Sequence, residues 1–162
     1  MNAYIWHEGE GNRGANNICS CLLKDFTARV FFVQKNYSSL TIIADNCGDQ
    51  NKNKHVVRFL MWMVEMEYFA KITLFFLIKG HTKNVCDRMF NLLKLGYHRK
   101  DIFTMDELCD CVNENDFINV SCMQKQDFKD FLKWQDGFYR SPETDNFNST
   151  HIFEKTSDRA TV

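Results

Sequence analysis

The chain has 162 residues, 44% of them apolar, and a net charge of −1. That length is enough to bury one sizeable core, and no stretch approaches the roughly 20 uninterrupted apolar residues of a membrane span, so a membrane protein is not expected. The small net charge conceals an uneven distribution: residues 51–100 hold ten Lys or Arg against three Asp or Glu, whereas residues 101–162 hold six against thirteen. A basic middle suits a polyanionic partner, and an acidic end suits a different one or simply neutralises the first.

In chain order, Ala3 to His7 is a short aromatic run that reads as a strand, and it enters a glycine-rich turn from Glu8 to Gly14. Helical spacing begins near Ala15, with Ile18, Leu22 and Phe26 four residues apart. Leu40 to Ala44 is a continuous apolar, β-branched run, the pattern of a strand covered on both faces, and it stops at Asp45. From Lys52 to Met66 the residues Val56, Val57, Leu60, Met61 and Val64 trace one helical face, with Lys54, Arg58 and Glu65 falling elsewhere. Ile72 to Ile78 repeats the buried-strand pattern. Asn84 to Leu95 repeats the helical one through Val85, Met89, Leu92 and Leu93. Strands alternating with helices predict an α/β fold whose sheet has a parallel portion, with functional residues beyond the carboxyl ends of its strands. Further on, Thr104 to Glu107 has the form of a capping box, Phe117 to Ser121 of a brief strand, and Gln126 to Trp134 of a helix. Residues 1–140 thus read as one domain, and the Ser-, Asn- and Thr-rich residues 141–162 as a disordered tail.

Seven cysteines, with no export signal at the amino terminus, predict an intracellular protein with reduced, mostly buried thiols rather than disulfides. The pairs Cys19/Cys21 and Cys109/Cys111 are C-x-C, not the C-x2-4-C knuckle of a structural zinc site.

Three constellations could carry chemistry. In Ala44-Asp-Asn-Cys-Gly-Asp-Gln-Asn-Lys-Asn53, a carboxylate sits at the end of a strand, where rigid backbone can hold it toward a divalent cation through oxygen. The same residues equally read as a helix cap and polar turn. In Gly80-His-Thr-Lys-Asn-Val-Cys-Asp-Arg-Met-Phe90, Asp87 again follows a strand, with His81 as a nearby ligand or proton carrier; Asp87 paired with Lys83 at i−4 is the plainer alternative. In the glycine turn, Glu8 or Glu10 could add a carboxylate, although solvated acids in an exposed turn suit the pattern as well.

Taken together, Tyr4-x-Trp-His-Glu8, Arg13-Gly-Ala-Asn-Asn17 followed by Cys19-Ser-Cys-Leu22, and the two motifs after the strands resemble a transposon-derived domain family. That family is abundant in oomycete, fungal and invertebrate genomes and is similar to the ribonuclease-H-like core of DDE transposases and integrases. The resemblance spans about Tyr4 to Arg140. It implies a ribonuclease-H-like mixed sheet with helices packed on it, Asp45 as the second acidic ligand, Asp87 as the last, and Mg²⁺ or Mn²⁺ as cofactor for two-metal phosphodiester chemistry. Lys52, Lys54, Arg58, Lys83 and Arg88 would meet the phosphates of a nucleic acid, DNA above RNA, in the nucleus. Asn17 stands where relatives often carry Glu, and the strand expected to bear the first acidic ligand lies before Tyr4. The resemblance is therefore to a truncated copy, and a non-catalytic nucleic-acid-binding or protein-interaction remnant is the alternative.

Overall fold

The computed structural model describes residues 1–28, 39–48, 50–78, 85–114, 117–139 and 150–157. Its elements are β1 (Asn2–Ile5), α1 (Ala15–Ala28), β2 (Ser39–Ala44), α2 (Lys54–Glu65), β3 (Lys71–Phe76), α3 (Val85–Tyr97), α4 (Met105–Asn113), β4 (Asn119–Cys122), α5 (Phe131–Asp136) and β5 (Ile152–Thr156). The α/β class expected from the alternation is present, with one mixed sheet. The chain forms two compact units, one from Met1–Asn12 with Gly80–Phe128 and the other from Arg13–Lys79 with Lys129–Val162, where the sequence reads as one domain over residues 1–140.

In the second of these units the sheet order is β2-β3-β5, β2 and β3 running parallel and β5 antiparallel to β3. Val56, Phe59, Leu60, Met63 and Val64 of α2 join Ile72, Leu74 and Phe76 of β3, Phe26 of α1 and Phe131 of α5 in its core. The two faces of α2 explain why it is so fully covered: one lies on the sheet, and another meets α1 and α5 through Phe59 against Phe131, centroids 5.0 Å apart. Polar ties fasten α5 to α1. Asn16 Oδ1 accepts the Leu132 N–H (2.9 Å), Asn16 Nδ2 donates to Asp130 (3.2 Å), and Ser20 Oγ accepts the Lys129 N–H (3.0 Å). At its far end α2 closes with the Tyr68 N–H on the Met63 carbonyl and the Glu67 N–H on the Val64 carbonyl, which puts Glu67 in the left-handed region (φ 61) that glycine usually fills.

The other unit is built on the parallel pair β1–β4, with Ala3, Leu93, Val112 and Ile118 as its buried apolar cluster. Helix α4 opens with the expected capping box: Thr104 Oγ1 accepts the Glu107 N–H and Glu107 Oε2 accepts the N–H groups of Thr104 and Phe103.

Four expectations need correction. Ile152–Thr156 lies in the tail read as disordered, yet it is a strand, because Phe153 packs against Phe76 and Glu154 pairs with Lys71 at 2.8 Å. β2 is covered on one face only: Ser39, Thr41 and Ile43 are exposed, since no described element packs on that side. The helix expected over Gln126–Trp134 is a 3-10 turn at Lys125–Asp127, extended backbone at Phe128 and then α5, whose start is set by Asp130 accepting the Lys133 N–H. Finally, Cys109 and Cys122 form a disulfide between α4 and β4. C-x-C counting looks for partners two residues apart, whereas this pair is brought together by tertiary packing across 13 residues.

Candidate metal and nucleic-acid site

Asp45 follows the last residue of β2, at the carboxyl end of the parallel pair, and its carboxylate is exposed. One oxygen is oriented by the loop itself: Oδ1 accepts from Asn51 Nδ2 and from the Cys47 N–H at 3.4 Å. The loop is wound tightly around Cys47, whose carbonyl accepts the N–H groups of Gln50, Asn51 and Lys52. Asn53 then caps α2, its Oδ1 accepting from His55 N (2.9 Å) and Val56 N (3.1 Å) while its Nδ2 donates to the Gln50 carbonyl. The cap expected somewhere in this motif is thus Asn53, which leaves Asp45 outside the helix terminus. Asp45 Oδ1 is held by neutral amides; among the described residues the carboxylate has no neutralising cation, and its second oxygen has no hydrogen-bond partner.

Two residues beside this loop are invisible to spacing arguments. Gln135, from α5, is 0% exposed and makes two bonds to one histidine: His55 Nδ1 meets Gln135 Oε1 at 3.0 Å, and Gln135 Nε2 donates to the His55 carbonyl at 2.9 Å. The second bond fixes which end of the amide is oxygen, so the first requires a proton on His55 Nδ1. No periodicity links residues 80 apart in the chain, and a lone His in a helix carries no motif.

The expected cations separate. Lys54 and Arg88 are exposed. Lys52 and Arg58 are 5% and 4% exposed, so they are corrected from phosphate-facing to interior residues. Lys52 lies over the Phe76 ring at 5.5 Å, and Arg58 belongs to a helix that packs against α1 and α5 as well as the sheet, so that positions outside its apolar stripe are buried too. His81 and Lys83 lie outside the described residues. Asp87 is exposed in the first turn of α3, and Glu8 is exposed in the turn after β1. Glu10, the other acid of that turn, accepts the Lys125 N–H at 2.6 Å, which makes it a loop tie. Asn17 is buried in the first turn of α1. Asp45 belongs to one unit, Asp87 and Glu8 to the other. Among the described residues no three His, Cys, Asp or Glu gather to hold a metal ion. Asp45 suits a hard divalent cation as a single oxygen donor, since Mg²⁺ commonly keeps several waters beside one or two carboxylates.

The thiol of Cys19 is pushed up by burial and so stays protonated and inert. Among the described residues no helix is long and apolar enough to cross a membrane.

These features define an α/β chain with an oriented strand-end carboxylate. Along its whole length, residues 1–162, it matches the family model described as Domain of unknown function (DUF7869), and it belongs to that family. No curated protein and no solved structure matches it.

Proposed function

We propose that the chain is a nucleic-acid-binding domain of ribonuclease-H-like, transposase-like kind, acting on DNA in the nucleus, in which Asp45 supplies one carboxylate toward Mg²⁺ or Mn²⁺. The observation that carries the reading is Asp45 itself: an exposed carboxylate at the carboxyl end of a parallel strand, turned by two N–H donors and, among the described residues, by no cation. Asp87 and Glu8, which belong to the other unit, and His81 are the further residues that the resemblance names. With one oriented ligand in hand, the isolated chain binds without cutting. Two-metal cleavage needs a shared cluster of acids to place both ions.

Phosphate contacts fall to exposed cations: Lys54, and on α3 and the turn after it Arg88, Lys94 and Arg99. Each phosphate neutralised on duplex DNA contributes about 0.9 to the slope of log affinity against log salt, so the three on and after α3 would by themselves give steep salt dependence. The test is fluorescence anisotropy of labelled duplex from about 50 to 200 mM salt, with a melt of the protein in Mn²⁺ beside it. Binding that falls steeply with salt, weakens in Lys54→Gln and Arg88→Gln, and a Mn²⁺-dependent rise in melting temperature lost in Asp45→Asn are expected. A duplex affinity indifferent to salt removes the nucleic-acid reading. Identical melts of wild type and Asp45→Asn in Mn²⁺ remove the metal.

A further inference from the structure

Strand β5 is the last strand of its sheet, and the register shows which of its backbone groups are spent. The Phe76 N–H donates to the His151 carbonyl and the Ser157 N–H to the Ala70 carbonyl, both at 2.8 Å, with Leu74 opposite Phe153 and Ile72 opposite Lys155 between them. Hydrogen-bonded and non-hydrogen-bonded pairs alternate along an antiparallel ladder. The N–H and C=O groups of Phe153 and Lys155 therefore point into the sheet, and those of Ile152, Glu154 and Thr156 point to the outer edge, which no described strand pairs.

Side chains alternate with the same period, so Phe153 and Lys155 project toward α2. A groove of about 120 Å³ lies there between strand and helix, walled by Val57, Leu60 and Met61 and floored by Ile72 and Leu74. Apolar cavities of ~150 Å³ accept a benzene-sized group, so this smaller groove suits one leucine-sized side chain. Lys155, on its rim, is half-buried, and its side chain has neither hydrogen bond nor ion pair among the described residues. Glu154, by contrast, is committed on the opposite face to Lys71 and Thr73.

We infer that β5 accepts an extended peptide strand from a partner protein. The partner's main chain bonds to the outward groups of Ile152, Glu154 and Thr156, one apolar side chain enters the groove, and an acidic side chain two residues away meets Lys155. Main-chain pairing supplies affinity, and the groove and cation supply specificity. This surface is independent of the nucleic-acid reading. The competing account is that Lys155 is an inward-pointing charge that guards an open edge against pairing. It predicts no binding at all.

The probe is a fluorescein-labelled nine-residue peptide, threonine-rich, with leucine and glutamate two positions apart, followed by anisotropy and by amide shifts of the ¹⁵N-labelled protein. We expect the shifts to concentrate on Ile152, Glu154, Thr156 and the α2 wall. Replacing the peptide leucine by serine should weaken binding roughly tenfold. Replacing its glutamate by lysine should weaken it about threefold on the wild type, and that preference should reverse on Lys155→Glu. N-methylation of the peptide amides that face β5 should abolish binding. Absence of shifts at millimolar peptide, binding that survives N-methylation, or a glutamate-over-lysine preference unchanged in Lys155→Glu each overturn the proposal.

Discussion

The two units solve the same problem by different means. Among the described residues, the unit around β2-β3-β5 gathers thirteen buried apolar residues into one cluster, while the unit around β1–β4 gathers four, so burial weighs more in the first than in the second. Point ties take over in the smaller cluster: the Cys109–Cys122 disulfide, the Thr104–Glu107 capping box, the Met1 ammonium on the Phe117 carbonyl at 2.6 Å, and Asn113 Oδ1 accepting the Val120 N–H at 3.0 Å. A unit held by burial yields to cavities. One held by ties yields to reduction and to the loss of single polar atoms.

The largest effect expected is Phe59→Ala. Phe59 is fully buried and touches Trp62 and Phe131, so its removal should cost about 3–5 kcal/mol in urea unfolding followed by near-ultraviolet dichroism. Leu93→Ala, in the thinner cluster, should fall near the lower end of the ~2–5 kcal/mol range for such truncations because Leu93 sits at the edge of burial. Equal costs would break the contrast between the units. Next comes Cys122→Ser, which opens a loop of 13 residues and should cost about 3 kcal/mol. Hydrogen exchange locates that loss: amides of β1 and β4 should exchange faster and those of β2 and β3 should not.

Gln135→Ala should cost about 1–3 kcal/mol, since it strands the imidazole N–H of His55 and removes a second donor from the His55 carbonyl. Asn53→Ala and Thr104→Ala each remove a helix cap, one in either unit, and each should cost about 1 kcal/mol. Thermal melts suffice for both. An Asn53→Ala variant as stable as wild type would show that the cap adds nothing to the ties made by Cys47 and Asn51.

What could be read in the sequence follows from the range of the signal. Local patterns identified α2, β2, β3, the capping box at Thr104 and Asp45 at a strand end, because each depends on neighbours within a turn or a strand. Lys52 and Arg58 were read as exposed because periodicity reports one apolar stripe and is silent about a second covered face. The Gln135–His55 pair, the Cys109–Cys122 disulfide and β5 all depend on contacts far apart in the chain, and the polar residues around β5 resemble a solvated tail until Phe153 and Glu154 are set beside β3. That no described strand pairs the outer edges of β2 and β5 likewise reflects sheet order, which no segment encodes alone.

The smallest effect is on pH dependence, and it separates the two kinds of tie. Glu107 is held below the usual carboxylate value of 4.5 by the N–H groups of Phe103 and then Thr104; Asp130, below 3.8, by the Lys133 N–H and the Asn16 amide; and Glu154, below 4.5, by Lys71 and then Thr73. A carboxylate with a depressed folded value contributes stability that is complete above its unfolded value and is lost as pH falls through the folded one. Both units should therefore weaken as pH falls from about 4.5, and neither should respond through these groups above it. The cause differs, however. Glu154 depends first on an exposed ion pair, which about 1 M salt screens within 3 Å, whereas Glu107 depends on fixed backbone donors that salt leaves in place. In Glu107→Gln, exchange of the α4 amides at pH 7 and at about pH 3.5 should differ less than in wild type, at low and high salt alike. If high salt removes the pH dependence of α4 in the wild type, the capping box is not its source.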